Sequence, residues 1–126
     1  MIVGIGNDLV QVSRVKAIIK RQGDRFAQRI LTEEELETYN HHRYPEKFLA
    51  KRFAAKEAAA KAIGTGIADG VSFHDFQVDH DELGAPFLKV TGRAHELAIL
   101  KSITSWHLSI TDEKKYAVAT VIAERL

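Results

Sequence analysis

The chain contains no cysteine in its 126 residues. This absence excludes disulfide bonds and thiolate metal sites, and it is typical of a protein in a reducing compartment. Long apolar runs are also missing, since no segment approaches the roughly 18 apolar residues of a membrane helix. The segment from Met1 to Asp8 lacks the basic start and unbroken apolar stretch of a signal peptide. We therefore expect a cytoplasmic protein without a membrane partner.

The chain also lacks an overall excess of charge. Its formal net charge is +1, with 28% charged and 45% apolar residues, which is typical of a globular protein. The length suits one domain over residues 1–126. The charge is nevertheless uneven, because residues 1–30 hold six basic side chains against two acidic ones: Arg14, Lys16, Lys20, Arg21, Arg25 and Arg29 against Asp8 and Asp24. This excess indicates either a solvated helix face or a docking surface for an acidic partner, nucleic acid or protein.

The N-terminal third predicts one short strand followed by helices. Ile2 to Gly6 is rich in β-formers, and Asp8 is expected at the junction between this strand and a helix that ends near Gly23. Thr32 and Glu35 have the spacing of a capping box, which predicts a helix running to about residue 41. The two glycines of this strand do not make a dinucleotide loop, because the third glycine of that motif is missing.

The C-terminal half predicts an antiparallel sheet. Residues 73–78 and 87–90 form a predicted hairpin, and a short helix starts near Thr91. Two strands follow, with a turn at 112–115. In the first of them His107, Ser109 and Thr111 share one face, which is typical of a solvent face but also of a strand that lines a polar ligand. The predicted fold class is α+β.

The most informative segment is a long alanine-rich helix that opens at Pro45 and is stopped by Gly64, Thr65 and Gly66. Glu57 lies on a flank of this helix that is otherwise apolar, so its carboxylate needs a partner on folding. Lys61, one turn later, is the ordinary candidate for an ion pair.

Two further features of this helix bear on binding. Arg52 and Lys56 form a second stripe, whose ordinary interpretation is a solvated face. The glycines that follow the helix allow close approach to a bound group and expose N–H donors, which favours a binding site.

Asp8 and Glu57 together suggest a magnesium site. Mg²⁺ keeps several waters and is held by one or two carboxylates beside substrate phosphate oxygens, and Lys61 would then contact a phosphate. The spacing of Asp8 and Glu57 in the sequence does not by itself show that the two residues meet in space. A zinc site is not favoured, since the six histidines form no i,i+4 pair.

Three segments carry a family resemblance. They are Gly4 to Asp8 (GIGND), Phe48 to Gly66 (FLAKRFAAKEAAAKAIGTG) and Trp106 to Thr111 (WHLSIT). In order and spacing they resemble the holo-acyl-carrier-protein synthases, which are 4′-phosphopantetheinyl transferases, over nearly the whole chain. The resemblance implies a long central helix packed on a small antiparallel sheet.

The resemblance also implies an activity. These enzymes transfer the 4′-phosphopantetheine arm of coenzyme A to a serine of apo-acyl carrier protein, require Mg²⁺ and release adenosine 3′,5′-bisphosphate, in support of fatty acid biosynthesis. By this likeness Asp8 and Glu57 hold the metal, and Lys61 contacts the pyrophosphate or assists proton transfer. The serine proton goes to Glu57, Asp8 or a metal-bound water. By the same likeness six residues line the coenzyme A site: Arg52, Lys61, Gly64, Thr65, Gly66 and His107.

The resemblance extends to partners. The carriers are small and acidic, so Arg14, Arg21 and Arg25 are expected to dock them. The short members of the family form trimers with active sites between subunits, and we expect a homotrimer here, with no nucleic acid bound. Two alternatives remain open on the residues alone: a non-enzymatic nucleotide- or RNA-binding α+β module that uses the basic N-terminal helix, and a small magnesium-dependent phosphohydrolase.

Overall fold

The structure, a computed structural model, describes all 126 residues. In chain order the elements are β1 (Ile2–Gln11), α1 (Val12–Gln22), α2 (Arg25–Ile30), α3 (Glu33–Asn40), α4 (Pro45–Ile63), a 3-10 turn (Phe73–Asp75), β2 (Phe76–His80), β3 (Pro86–Val90), α5 (Gly92–Leu100), β4 (Ser105–Asp112) and β5 (Tyr116–Glu124). One antiparallel sheet has the order β1-β5-β4, and β2 pairs with β3 in a hairpin. The predicted α+β class is confirmed. No helix combines the length and apolar character that a membrane crossing needs.

Helix α4 is the centre of the fold. Pro45 occupies its first turn, where the missing N–H costs nothing, and Gly64 ends it with a left-handed φ of 101°. Its buried residues include seven alanines: Ala50, Ala54, Ala55, Ala58, Ala59, Ala60 and Ala62. Small side chains on this helix allow the three-stranded sheet to pack closely against it.

The glycines of β1 complete this close packing. A Cβ built on Gly4 would lie 1.9 Å from the backbone oxygen of Ala62, and one on Gly6 would lie 1.8 Å from that of Ala58. Both positions therefore require glycine for lack of space rather than for an unusual backbone conformation. Strand β1 rests directly on α4.

The three-stranded sheet has two different faces. Its inner face, toward α4, carries Val10 of β1, four buried residues of β5 from Ala117 to Ala123, and Leu108 and Ile110 of β4. The outer face carries the alternate residues of each strand: Ile5, Asn7 and Leu9 of β1, Val118, Thr120 and Ile122 of β5, and His107, Ser109 and Thr111 of β4. A hydrogen bond of 2.7 Å from Asn7 Nδ2 to Thr120 Oγ1 links two of these rows.

Two predicted boundaries are wrong. Strand β1 does not end at Gly6 but continues to Gln11, so Asp8 lies inside the strand and pairs with Ala119. Asparagine and aspartate are uncommon in strands, yet the pairing of β1 with β5 keeps Asn7 and Asp8 in an extended conformation. The hairpin begins at Phe76, because Ser72 and Asp75 form a capping box around a 3-10 turn. The capping box of Thr32 and Glu35 is confirmed.

Candidate active site

A cavity of about 380 Å³ opens where β1, α1 and α4 meet. It is lined by four charged residues, one glutamine and five apolar residues: Asp8, Arg14, Glu57, Lys61, Gln11, Leu9, Val10, Val15, Ile18 and Phe53. The structure thus brings together Asp8 and Glu57, which are far apart in sequence. The largest cavity, of about 450 Å³, lies elsewhere and is lined by four lysines and a single carboxylate, so it offers no carboxylate pair.

Asp8 reaches this cavity from the inner face of the sheet. Its Oδ1 lies 3.1 Å from Nζ of Lys61, which also donates to the backbone oxygen of Asn7 at 3.0 Å. The Asp8 side chain is 18% exposed and that of Lys61 49%, so the lysine end of the pair faces solvent. The close contact of β1 with α4 sets this geometry.

Glu57 shares the cavity without an ion pair of its own. The ion pair expected between Glu57 and Lys61 is absent, because Lys61 turns to Asp8 instead. Burial raises the pKa of Glu57, and the nearby charge of Asp8 raises it further, while Lys61 and Arg29 act in the opposite direction. Arg29 is a further cation near the site, which the sequence pattern does not distinguish from the other basic residues of the N-terminal region; its guanidinium lies 5.9 Å from the centre of the Phe73 ring.

The donor set of the cavity fits a magnesium ion. Asp8 and Glu57 line the same cavity, and the charge of Asp8 raises the pKa of Glu57; a bound cation would relieve the repulsion between the two carboxylates. No group of three or more histidine, cysteine or acidic side chains is arranged so that it could hold a metal ion. Two carboxylates nevertheless suffice for Mg²⁺, which keeps waters and takes phosphate oxygens.

The basic N-terminal region borders the same cavity. Arg14 lines it, and a shallow cavity of about 290 Å³ continues along α1 between Arg14, Ala17, Ile18 and Arg21. Arg25, the first residue of α2, is exposed. A surface with apolar residues flanked by two arginines therefore leads directly to the carboxylates.

The Gly64-Thr65-Gly66 turn follows α4 immediately. The expectation that its glycines offer free N–H donors is wrong, because Gly64 donates to the carbonyl oxygens of Ala60 and Lys61 and Gly66 donates to that of Ala60. The turn closes the last turn of the helix. Nζ of Lys101, at the end of α5, donates to the carbonyl oxygen of Ile63. These contacts fix the C-terminal end of α4, which lies shortly after Lys61 in the chain.

His107 does not reach the cavity within one chain. It lies on the outer face of the sheet beside Ile122, whereas Asp8 lies on the inner face. Its Nε2 is 2.9 Å from Oε1 of Glu124. The sheet therefore separates His107 from Asp8 and Glu57.

Arg52 and Lys56 are not a solvated stripe, which corrects the interpretation made from the helix pattern. Lys56 is fully buried and Arg52 is 7% exposed, and both approach Glu35. Arg52 borders a separate cavity of about 240 Å³ that also includes Thr38 and His80, so it is not brought to the Asp8 site in this chain. The sequence pattern does not reveal that Glu35 and Lys56 are buried, although the capping box places Glu35 in the first turn of α3.

Comparisons with known proteins agree with this fold. Residues 4–121 match the family model of the 4′-phosphopantetheinyl transferase superfamily. The chain is 57% identical over 123 residues to a holo-[acyl-carrier-protein] synthase of Hamiltonella defensa, a match that covers 98% of each chain.

Two solved structures extend the likeness to the backbone. A crystal structure of the holo-[acyl-carrier-protein] synthase of Neisseria meningitidis is 44% identical, with a TM-score of 0.92 over 99% of this chain and 100% of that one. That of Bacillus anthracis, solved in complex with CoA (3′,5′-ADP), is 38% identical, with a TM-score of 0.84 over 100% and 99% of the two chains.

The fold and the matches define the class of the molecule as an enzyme, and specifically a transferase. The alternative of a non-enzymatic nucleotide-binding module is thereby set aside. The chain belongs to the 4′-phosphopantetheinyl transferase superfamily, among the holo-[acyl-carrier-protein] synthases.

Proposed function

We propose that this chain transfers the 4′-phosphopantetheine arm of coenzyme A to a serine of an apo-acyl carrier protein, and that it serves fatty acid biosynthesis in the cytoplasm. The observation that carries the proposal is the presence of Asp8, Glu57 and Lys61 in one cavity of a chain with this fold. The complex of the Bacillus anthracis relative with CoA (3′,5′-ADP) supports coenzyme A as the donor.

The reaction is a displacement at phosphorus. The serine oxygen bonds to the β-phosphorus of coenzyme A, and the bond from that phosphorus to the oxygen bridging the α-phosphate breaks, which releases adenosine 3′,5′-bisphosphate. Negative charge grows on the phosphate oxygens, and Lys61 Nζ, half exposed beside Asp8, is suited to contact them. The serine proton passes to Glu57 or Asp8, the two bases that line the cavity.

Asp8 and Glu57 are the residues that would hold Mg²⁺. When bound, the ion would neutralise charge on the pyrophosphate and orient it for attack. Lys61 would release Asp8 and remain beside the phosphates. The Gly64-Thr65-Gly66 turn, immediately after the helix that carries Glu57, would lie along the coenzyme A chain.

The acyl carrier protein would dock on α1. Arg14 and Arg21 flank Ala17 and Ile18 on the surface that leads to the cavity, and Arg25 extends this basic edge. An acidic carrier with an exposed apolar patch complements such a surface in charge and in polarity.

A homotrimer would complete the site. Asp8 and His107 lie on opposite faces of the sheet, so one chain does not present both to a single ligand. The outer face also exposes Ile5 and Leu9, whose exposed fractions are 63% and 62%. If the outer faces of three chains pack together, His107 of a neighbouring chain can approach the coenzyme A bound at Asp8 and Glu57.

The experiment that tests the reaction is intact-mass analysis of the carrier. The protein is incubated with coenzyme A, Mg²⁺ and an apo-acyl carrier protein, with and without a chelator. A gain equal to one phosphopantetheine arm that disappears with chelator is the expected result. Release of phosphate in the absence of carrier would favour a phosphohydrolase instead, and no mass gain on several carriers would contradict the proposal.

A further inference from the structure

Lys56 precedes Glu57 in α4 but points away from the cavity into the protein. It is fully buried, and its Nζ donates to Oε1 of Glu35 at 2.5 Å and to the backbone oxygen of Ile30 at 2.6 Å. No step of the proposed reaction uses this cation. A fully buried lysine without a chemical task therefore calls for a structural reason.

Lys56 and Glu35 together connect α4 to three other elements. Its Oε1 also accepts the N–H of Thr32 at 2.9 Å, which caps α3, and its Oε2 accepts the N–H of Val78 in β2 at 2.9 Å. Nε of Arg52 lies 3.5 Å from the same Oε2. Because the backbone oxygen of Ile30 belongs to α2, the pair of Lys56 and Glu35 joins α2, α3, α4 and β2 at one point.

Stability is a poor explanation for this arrangement. Removing two charges from water is expensive, and well-packed apolar residues of similar size often stabilise a fold as well as a buried ion pair does. An ion pair with several hydrogen bonds instead fixes the orientation of the helix, because each hydrogen bond has good geometry in only one orientation.

Helix α4 has particular need of such an anchor. Where α4 meets β1, Ala58 and Ala62 contact the glycines of the strand, so no large side chains interlock there to oppose rotation of the helix about its axis. A carboxylate about 6 Å from the axis moves by about 1 Å when the helix turns by about 10°. A displacement of that size in an active site can reduce a rate by about 10²-fold.

We infer that Lys56, held by Glu35, is a positioning residue. It fixes the rotation of α4 about its axis and thereby places the carboxylate of Glu57 beside that of Asp8. The inference rests on the proposed magnesium site. Lys56 touches neither substrate nor metal, and it acts through the backbone of α4 on its neighbour Glu57.

The test compares metal affinity with thermal stability in Lys56→Met, in the double variant Lys56→Met/Glu35→Gln, and in Lys51→Met as the control. Lys51 is a lysine of the same helix that forms no ion pair. Mg²⁺ binding is measured by titration calorimetry in the presence of coenzyme A, Tm by scanning calorimetry, and kcat and KM by carrier modification.

We expect Lys56→Met to raise the Kd for Mg²⁺ at least tenfold and to lower kcat, with the KM for carrier protein changed less than twofold. The double variant should recover part of the lost Tm, because it removes the buried carboxylate that has lost Lys56, while Arg52 then lacks its acidic partner. It should nevertheless retain the raised Kd. Lys51→Met should match the wild type. Should Lys56→Met fail to fold, the Kd for Mg²⁺ and kcat of the double variant are compared with those of the wild type instead.

Recovery of metal affinity together with Tm in the double variant would overturn the inference, as would wild-type affinity in Lys56→Met. Glu57→Gln separates this outcome from failure of the proposed function. If the wild type and Glu57→Gln bind Mg²⁺ equally, the magnesium site itself is wrong, and the role of Lys56 is refuted with it.

Discussion

Glu57 differs from an ordinary helix-surface carboxylate because burial and the charge of Asp8 both raise its pKa. Compared with the unfolded chain, the folded, metal-free protein therefore makes ionisation of the Glu57 carboxyl less favourable. We predict that Glu57→Gln leaves the Tm of the metal-free protein unchanged or slightly higher, while it lowers kcat by at least about 10²-fold. Scanning calorimetry and carrier modification at saturating Mg²⁺ provide the two measurements. A variant with full activity would show that Glu57 does not hold the metal.

Lys61 pairs with Asp8 at a partly exposed position, so its contribution to stability is small. We predict that Lys61→Met changes the free energy of unfolding by no more than about 1 kcal/mol, as for other exposed ion pairs. Its kcat should fall by about 10²-fold if the ammonium group contacts the reacting phosphates. A large loss of stability with near-normal kcat would assign Lys61 to the fold instead. Urea unfolding and steady-state kinetics distinguish the two results.

At the scale of single residues, the sequence identifies Asp8, Glu57 and Lys61 but not their pairing. An i,i+4 spacing favours Glu57 with Lys61, whereas the structure pairs Lys61 with Asp8 across β1 and α4. The contact between Lys56 and Glu35 is harder still to predict from the sequence, since charged residues are usually exposed and only the tertiary fold brings these two together. Local pattern therefore locates functional residues better than it locates their partners.

At the scale of elements, the packing of β1 on α4 determines where Asp8 lies. We predict that Gly6→Ala costs about 3 kcal/mol, because its Cβ would overlap the backbone oxygen of Ala58. Activity should fall as well, since β1 carries Asp8 two residues later. The obstruction is a backbone atom, so the double variant Gly6→Ala/Ala58→Gly should show no recovery. Rescue by Ala58→Gly, or a cost below about 0.5 kcal/mol measured by urea unfolding, would contradict this account.

Helix α4 and the final two strands follow from strong local signals, namely Pro45 and Gly64 at the helix ends and regular alternation along β4. The C-terminal part of β1 does not, because Asn7 and Asp8 interrupt the β-rich pattern and only pairing with β5 keeps the chain extended. Element boundaries are thus predictable where caps mark them and unpredictable where a distant strand decides.

At the scale of the whole molecule, two of the basic residues of the N-terminal region, Arg14 and Arg21, border one surface of α1. We predict that Arg21→Glu raises the KM for carrier protein about tenfold while the KM for coenzyme A stays nearly constant, because Arg21 borders the α1 surface and not the carboxylate cavity. The effect should shrink as ionic strength increases. Lys20→Glu is the matched control, with the same charge change at a neighbouring position of α1 outside that surface. Equal effects of the two variants, or equal effects on both substrates, would refute a specific docking role.

The division of site residues between the two faces of the sheet leads to the strongest test of assembly. If each site takes Asp8 from one chain and His107 from the next, Asp8→Asn and His107→Ala are each inactive alone, but mixed trimers contain some intact sites. Random assembly from equal amounts makes about a quarter of the sites intact, so refolding the two variants together should restore roughly that fraction of wild-type activity. Sedimentation should show a trimer throughout, and Ile5→Lys on the outer face should shift it toward monomer with loss of activity. A monomer with full activity, or a mixture as inactive as its components, would mean that one chain completes the site without His107 from a neighbour.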